Sequence, residues 1–138
     1  MPILNLKVSA RRSQALSATL ASALVDVTAR VLRKNPAITA VAIDYVAPED
    51  WIVGGRTLAE QGKASFWLDI KVVDGTNTKD EKAAYLAEVF GLMGRLLGEL
   101  HEESYVLVHE VPADAYGFGG LTQEHRYIAG RLQPLQAA

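Results

Sequence analysis

Proline at position 2, directly behind Met1 and heading the alternating run Ile3-Leu4-Asn5-Leu6-Lys7-Val8, is the residue here whose type and place could most directly do chemistry. Within a chain its ring nitrogen is a tertiary amide and takes no proton; removal of Met1 would make it a secondary amine. A free α-amino group titrates near roughly 8, and an apolar pocket or a cationic neighbour lowers that value by disfavouring the ammonium form. Either shift moves the amine toward neutral pH, where a general base works best. The ring also fixes φ, so the strand behind it would hold such a base in one orientation. A Met-Pro start is equally compatible with a processed terminus that carries no chemistry.

The other reactive side chains form no familiar constellation. His101, His109 and His125 are spaced by 8 and 16 residues, which matches no local metal-ligand pattern, and no Ser-His-Asp signature accompanies them. With no cysteine there is no thiolate nucleophile, thiolate metal site or disulfide framework. Gly117-Phe118-Gly119-Gly120 lacks the spacing of a phosphate cradle and reads as a turn needing positive φ. A net charge of −2 without any basic block argues against a nucleic-acid partner. The start lacks a signal-peptide pattern, and no uninterrupted apolar run reaches a membrane-spanning length. The expectation is a cytoplasmic protein with no membrane partner.

Two similar halves supply the elements that would position these groups. Leu4, Lys7 and Val8 recur 64 residues later as Leu68, Lys71 and Val72, and Arg30-Val31-Leu32 is echoed 65 later by Arg95-Leu96-Leu97. Trp51-Ile52-Val53-Gly54-Gly55-Arg56-Thr57 aligns at the same offset with Tyr116-Gly117-Phe118-Gly119-Gly120-Leu121-Thr122. The chain of 138 residues thus reads as a single domain built from pseudo-repeats 1–63 and 64–138.

Each half reads strand, helix, strand, glycine turn. Leu4, Leu6 and Val8 alternate at period 2. After Ser13 as N-cap, Leu16, Leu20, Leu24, Val27 and Val31 form a helical stripe that Pro36 ends, and Val41, Ile43 and Tyr45 resume a strand. In the second half Phe66, Leu68, Ile70 and Val72 form the strand, and Thr78 to Glu81 has the form of a capping box. The following helix points Leu86, Val89, Phe90, Met93, Leu96, Leu97 and Leu100 inward, and Tyr105 to Val111 is the returning strand. Helical crossovers make parallel, right-handed connections. The fold class is therefore α+β, a duplicated βαβ with a four-stranded mixed sheet and two helices on one face. The other face, expected to carry Lys7, Trp67, Val106 and Val108, is too apolar for open water and suits burial against further copies. Leu58 to Gln61 and Leu121 to Leu132, after the glycine pairs, are expected as short strands or a tail pairing across subunits.

With these residues in view, the chain resembles the tautomerase superfamily, which includes 4-oxalocrotonate tautomerase and macrophage migration inhibitory factor. The segment from PILNLKVSARR through WIVGG is similar to a single 4-oxalocrotonate tautomerase subunit, and the double length is similar to the fused branches. The resemblance implies a homotrimer, no cofactor, no metal and a small carboxylate-bearing substrate. It implies Pro2 as acid and base, Arg12 as a carboxylate holder at the end of strand one, and Trp51 as a pocket aromatic. Lys34-Asn35-Pro36 resembles a stretch presenting a substrate-binding lysine, and Tyr116, the partner of Trp51 in the repeat, could wall the pocket or donate to a developing enolate.

The chain also departs from the family. The strand-two arginine falls at Ala42, with its second-half counterpart near Leu107, and Val72 to Thr76 lacks the arginine pair of the dehalogenase and decarboxylase branches, with only Lys71 nearby. The leading expectation is keto-enol tautomerisation of a 2-oxo or 2-hydroxy-dienoic acid. The alternatives are hydration, dehalogenation or decarboxylation of an acrylate-type acid by the same proline, and a non-catalytic trimeric binding scaffold.

Overall fold

The computed structural model describes residues 2–137, with side chains described through residue 132. In chain order the elements are β1 (Ile3–Val8), α1 (Gln14–Leu32), β2 (Ala40–Tyr45), β3 (Ile52–Val53), β4 (Arg56–Thr57) and α2 (Leu58–Gln61), followed by β5 (Phe66–Val73), α3 (Lys79–Leu97), β6 (Tyr105–Val111), β7 (Gly117–Phe118), β8 (Leu121–Thr122) and α4 (Gln123–Ala137). The main sheet runs β2-β1-β5-β6. Each βαβ unit contributes a parallel pair, and β1 and β5 join the units antiparallel, with Asn5 opposite Asp69 and Leu6 opposite Leu68. The two long helices match in length and are displaced by 65 residues, α1 beginning at Gln14 and α3 at Lys79.

Local chemistry sets the helix ends. Ser13 Oγ accepts from the Leu16 amide at 3.2 Å, and Thr78 and Glu81 form a reciprocal capping box. Pro36 does not terminate α1, contrary to expectation. Arg33 does so three residues earlier by adopting the left-handed conformation (φ 59°), and Pro36 opens a short 3₁₀ turn. By length and composition α1 could cross a membrane, but its Leu20, Leu24, Val27 and Leu32 belong to the core.

One core lies between the sheet and the helix pair. Leu4, Leu6 and Val8 of β1 meet Phe66, Leu68, Ile70 and Val72 of β5, all buried and alternating as a half-buried strand requires. From α3 the buried residues are Tyr85, Val89 and Met93, whereas Leu86 and Phe90 are 40 % and 39 % exposed and Leu100 lies beyond the helix. Tyr85 can occupy the centre because its hydroxyl is paired, 2.8 Å from Thr28 Oγ1 of α1.

The opposite sheet face differs from expectation in one strand. Val106 and Val108 pack toward the helices, and register places Tyr105 and Leu107 beside Trp67 and Asp69 on the open face. That face carries the rows Ala40-Ile3-Lys71-His109, Ala42-Asn5-Asp69-Leu107 and Asp44-Lys7-Trp67-Tyr105. The segments after the glycine pairs are also corrected. Leu58–Gln61 and Gln123–Ala137 are helices, because Thr57 Oγ1 accepts from the Glu60 amide at 3.1 Å and Thr122 Oγ1 from the His125 amide at 2.9 Å, each capping a new helix. Their backbone groups are spent within the helices and cannot pair as strands.

Candidate active site

β1 delivers Pro2 to one end of the sheet, where its carbonyl accepts from the Ala40 amide at 3.2 Å. Pro2 is buried and borders a cavity of about 400 Å³, whose walls include Ile38 and Thr39 from the 3₁₀ turn and Tyr116 and Phe118 from the second hairpin. No charged side chain is among the described residues lining it. Such a lining disfavours an ammonium ion and favours a neutral amine.

The second hairpin holds the aromatics in place. Gly119 and Gly120 both have positive φ (61° and 82°), the two-residue turn that matches strand twist. The Gln123 amide donates to the Tyr116 carbonyl at 2.8 Å and closes the hairpin's base. The Tyr116 hydroxyl accepts from the amide of Ile3, the residue next to Pro2. Burial pushes the phenol's pKa up, and the Ile3 amide pulls partly against that shift.

Of the five sequence-derived candidates, the structure brings Pro2 and Tyr116 together and leaves the other three elsewhere within this chain. Arg12 follows the far end of β1, a strand that by itself spans about 17 Å, and it is exposed. The Lys34 ammonium donates to Thr76 Oγ1 at 2.8 Å in the turn before α3 and does not border the cavity. Burial lowers its pKa first, with Arg33 adding to the effect.

Trp51 belongs to the matching place in the other half. It lies between a surface groove shared with Lys7, Trp67 and Leu107 and a polar recess with His101, Glu103 and Tyr105. The first hairpin repeats the second, with Gly54 and Gly55 at φ 63° and 79° and the Leu58 amide donating to the Trp51 carbonyl at 2.8 Å. At that end, however, the counterpart of Pro2 is Phe66, buried and inside the chain. Its nitrogen is an amide, so this half offers no amine.

Sequence reading did not single out Ile38 or Phe118 as walls. Phe118 sits within the glycine-rich turn beside Tyr116, which was the available signal. His109 Nε2 lies 3.3 Å from Asp69 Oδ2 while Lys71 Nζ holds Asp69 Oδ1 at 2.6 Å. His109 is therefore a sheet residue in a polar cluster and does not border the cavity.

Residues 67–126 match a family model described as "Tautomerase enzyme". Over 66 residues the chain is 36 % identical to the probable tautomerase K2 of Dickeya dadantii (strain 3937), a match covering 44 % of this chain and 92 % of that protein. Among solved structures, a fused 4-OT described as a wild-type symmetric trimer is 22 % identical with a TM-score of 0.75, covering 88 % of this chain and 96 % of that one. A macrophage migration inhibitory factor-like protein from Entamoeba histolytica gives 17 % and 0.72, covering 88 % and 97 %. A member of the cis-3-chloroacrylic acid dehalogenase family gives 18 % and 0.74, covering 98 % and 96 %. At these identities the structural matches speak to the fold.

Proposed function

The chain belongs to the tautomerase superfamily, and on that premise we propose that it is a cofactor-free keto-enol tautomerase using Pro2, freed of Met1, as general acid and base on a small 2-oxo or 2-hydroxy-dienoic acid. Met1 lies outside the described residues. The observation that carries the reading is the convergence of Pro2 and Tyr116 on one apolar cavity.

In the ketonising direction the neutral amine takes the proton of the enol hydroxyl. The carbon–oxygen π bond forms as the carbon–carbon π electrons move onto the adjacent carbon. The prolinium then delivers its proton to that carbon, so charge and atoms balance. The Tyr116 hydroxyl can donate to the oxygen while it carries negative charge, the role of an oxyanion donor. Phe118 and Ile38 give the cavity apolar walls beside the amine.

Self-association extends the proposal. Fused 4-OT structures similar in fold are described as trimers, and the apolar open face of the sheet suits burial against copies. In a homotrimer Arg12, too distant to serve its own Pro2, would hold the carboxylate at a neighbour's site, and Trp51 would face a subunit boundary.

The test combines mass spectrometry for loss of Met1 with ketonisation of phenylenolpyruvate and 2-hydroxymuconate by wild type and Pro2→Ala. General acid–base catalysis contributes at least about a hundredfold, and Pro2→Ala is expected to lose that factor. Equal rates in the two proteins would overturn the reading.

A further inference from the structure

The two hairpins solve the same structural problem with different side chains. In the first, Gln61 Nε2 donates to the Val53 carbonyl at 3.0 Å and ties the strand to the helix that follows. At the same offset of 65 residues, Arg126 takes the place of Gln61 and Phe118 that of Val53, and Arg126 Nη2 and Nε donate to the Phe118 carbonyl at 3.0 and 3.4 Å. A neutral amide therefore suffices to hold such a hairpin. The guanidinium adds a charge that the tie does not need.

That charge stands beside the proline cavity. The guanidinium carbon of Arg126 is 3.9 Å from the centroid of the Phe118 ring, and Phe118 is a wall of the cavity that Pro2 borders. Gly119 leaves room for it, since a Cβ there would lie 2.7 Å from Arg126 Nη2, whereas one on Gly54 would meet nothing within 4 Å. The glycines of the first hairpin have no such neighbour, and its Arg56 pairs instead with Glu60, while the Pro2 cavity has no charged side chain of its own among the described residues. Arg126 does not itself line the cavity, so its influence on a bound anion would run through the Phe118 ring as charge at a distance rather than as a hydrogen bond.

We propose that Arg126 is a specificity-determining residue that makes the Pro2 cavity prefer a flat carboxylate over its neutral counterpart, acting across Phe118. This rests on the Pro2 cavity being the substrate site, but it is read through binding and so can be judged apart from turnover. Arg126→Gln installs the side chain the first hairpin already uses, preserving the tie while removing the charge. Arg126→Lys keeps the charge without the planar fork.

Calorimetric titrations with cinnamate and cinnamamide test the assignment on the whole chain. Arg126→Gln is expected to weaken cinnamate about fivefold, the size of one partly screened ion pair, and to leave cinnamamide unchanged. Arg126→Lys is expected to recover most of the cinnamate affinity, and high salt to shrink the wild-type preference. Equal weakening of both ligands by Arg126→Gln would indicate a purely structural role and overturn the proposal. So would no change in either ligand, or a wild type that binds cinnamate no better than cinnamamide. If Pro2→Ala turns over enols as fast as wild type while cinnamate discrimination persists, the catalytic reading falls and the assignment of Arg126 stands.

Discussion

The amide of Ile3 donates a hydrogen bond to the hydroxyl of Tyr116, so the second half of the chain is fastened to the peptide that follows Pro2. In the proposed reaction that hydroxyl would also meet the oxygen on which charge develops, since Tyr116 lines the cavity that Pro2 borders. Tyr116→Phe keeps the ring and the cavity wall while removing the hydroxyl. Turnover of phenylenolpyruvate is expected to fall roughly a hundredfold, within the range for loss of one oxyanion donor, with the melting temperature lowered by the loss of the Ile3 amide's acceptor. Retained turnover would assign the phenol a purely architectural role.

Tyr85 and Thr28 pair their hydroxyls 2.8 Å apart in the buried layer between α1 and α3. Burial pushes the Tyr85 phenol up to about 12, so it remains neutral across the physiological range. Tyr85→Phe leaves Thr28 Oγ1 without this partner and is expected to cost about 1–3 kcal/mol, read from chemical denaturation. Because replacing both partners is close to neutral, adding Thr28→Val to Tyr85→Phe should recover much of that loss. Additive losses would contradict this account.

Glu81 holds the N-terminus of α3 through the capping box and meets Arg33 at 2.7 Å. The Arg33 hydrogen bond, then the Thr78 amide, lower its pKa from 4.5 to about 2. A depressed carboxylate stabilises the fold fully above its unfolded value and loses that contribution as pH falls through the folded one. Glu81→Gln should therefore flatten the dependence of unfolding free energy on pH between 4.5 and about 2, and leave the dependence above pH 6 as in wild type. Parallel curves through the acid window would refute the assignment.

What the sequence made legible was whatever local chemistry encodes. Ser13 and Thr78 announced their helices, the glycine pairs announced two-residue turns, and Tyr105 to Val111 matched β6 residue for residue. The facing of β6 was not legible, because Tyr105-Val106-Leu107-Val108 has no polar residue to set the phase of its alternation. Tyr85 escaped notice because a phenol enters a core only when its hydroxyl finds a partner, and Thr28 is 57 residues away. Of the candidate site, Pro2 was legible as the residue at the head of β1, and it borders a cavity there. Its pairing with Tyr116 depends on β1 and β5 joining antiparallel, a long-range contact that no local pattern carries. Arg126 was hidden in a segment read as a tail, and only its equivalence to Gln61 in space sets it apart.

The open sheet face offers a direct test of assembly. Leu107 lies in its middle rows, 37 % exposed, paired across the strands with Asp69. Leu107→Glu would place a second carboxylate opposite Asp69, where like charges destabilise, and would force a charge into any interface covering the face. Sedimentation velocity should show wild type as a trimer and Leu107→Glu as a monomer. Leu86→Glu, at a residue 40 % exposed on the helix side, is the matched control and should remain trimeric. If Arg12 serves a neighbouring Pro2, monomeric Leu107→Glu should also lose turnover by raising KM, since the cavity keeps its own base but loses a cation from outside. A trimeric Leu107→Glu would show that copies meet through some other surface, and a fully active monomer would remove Arg12 from the site.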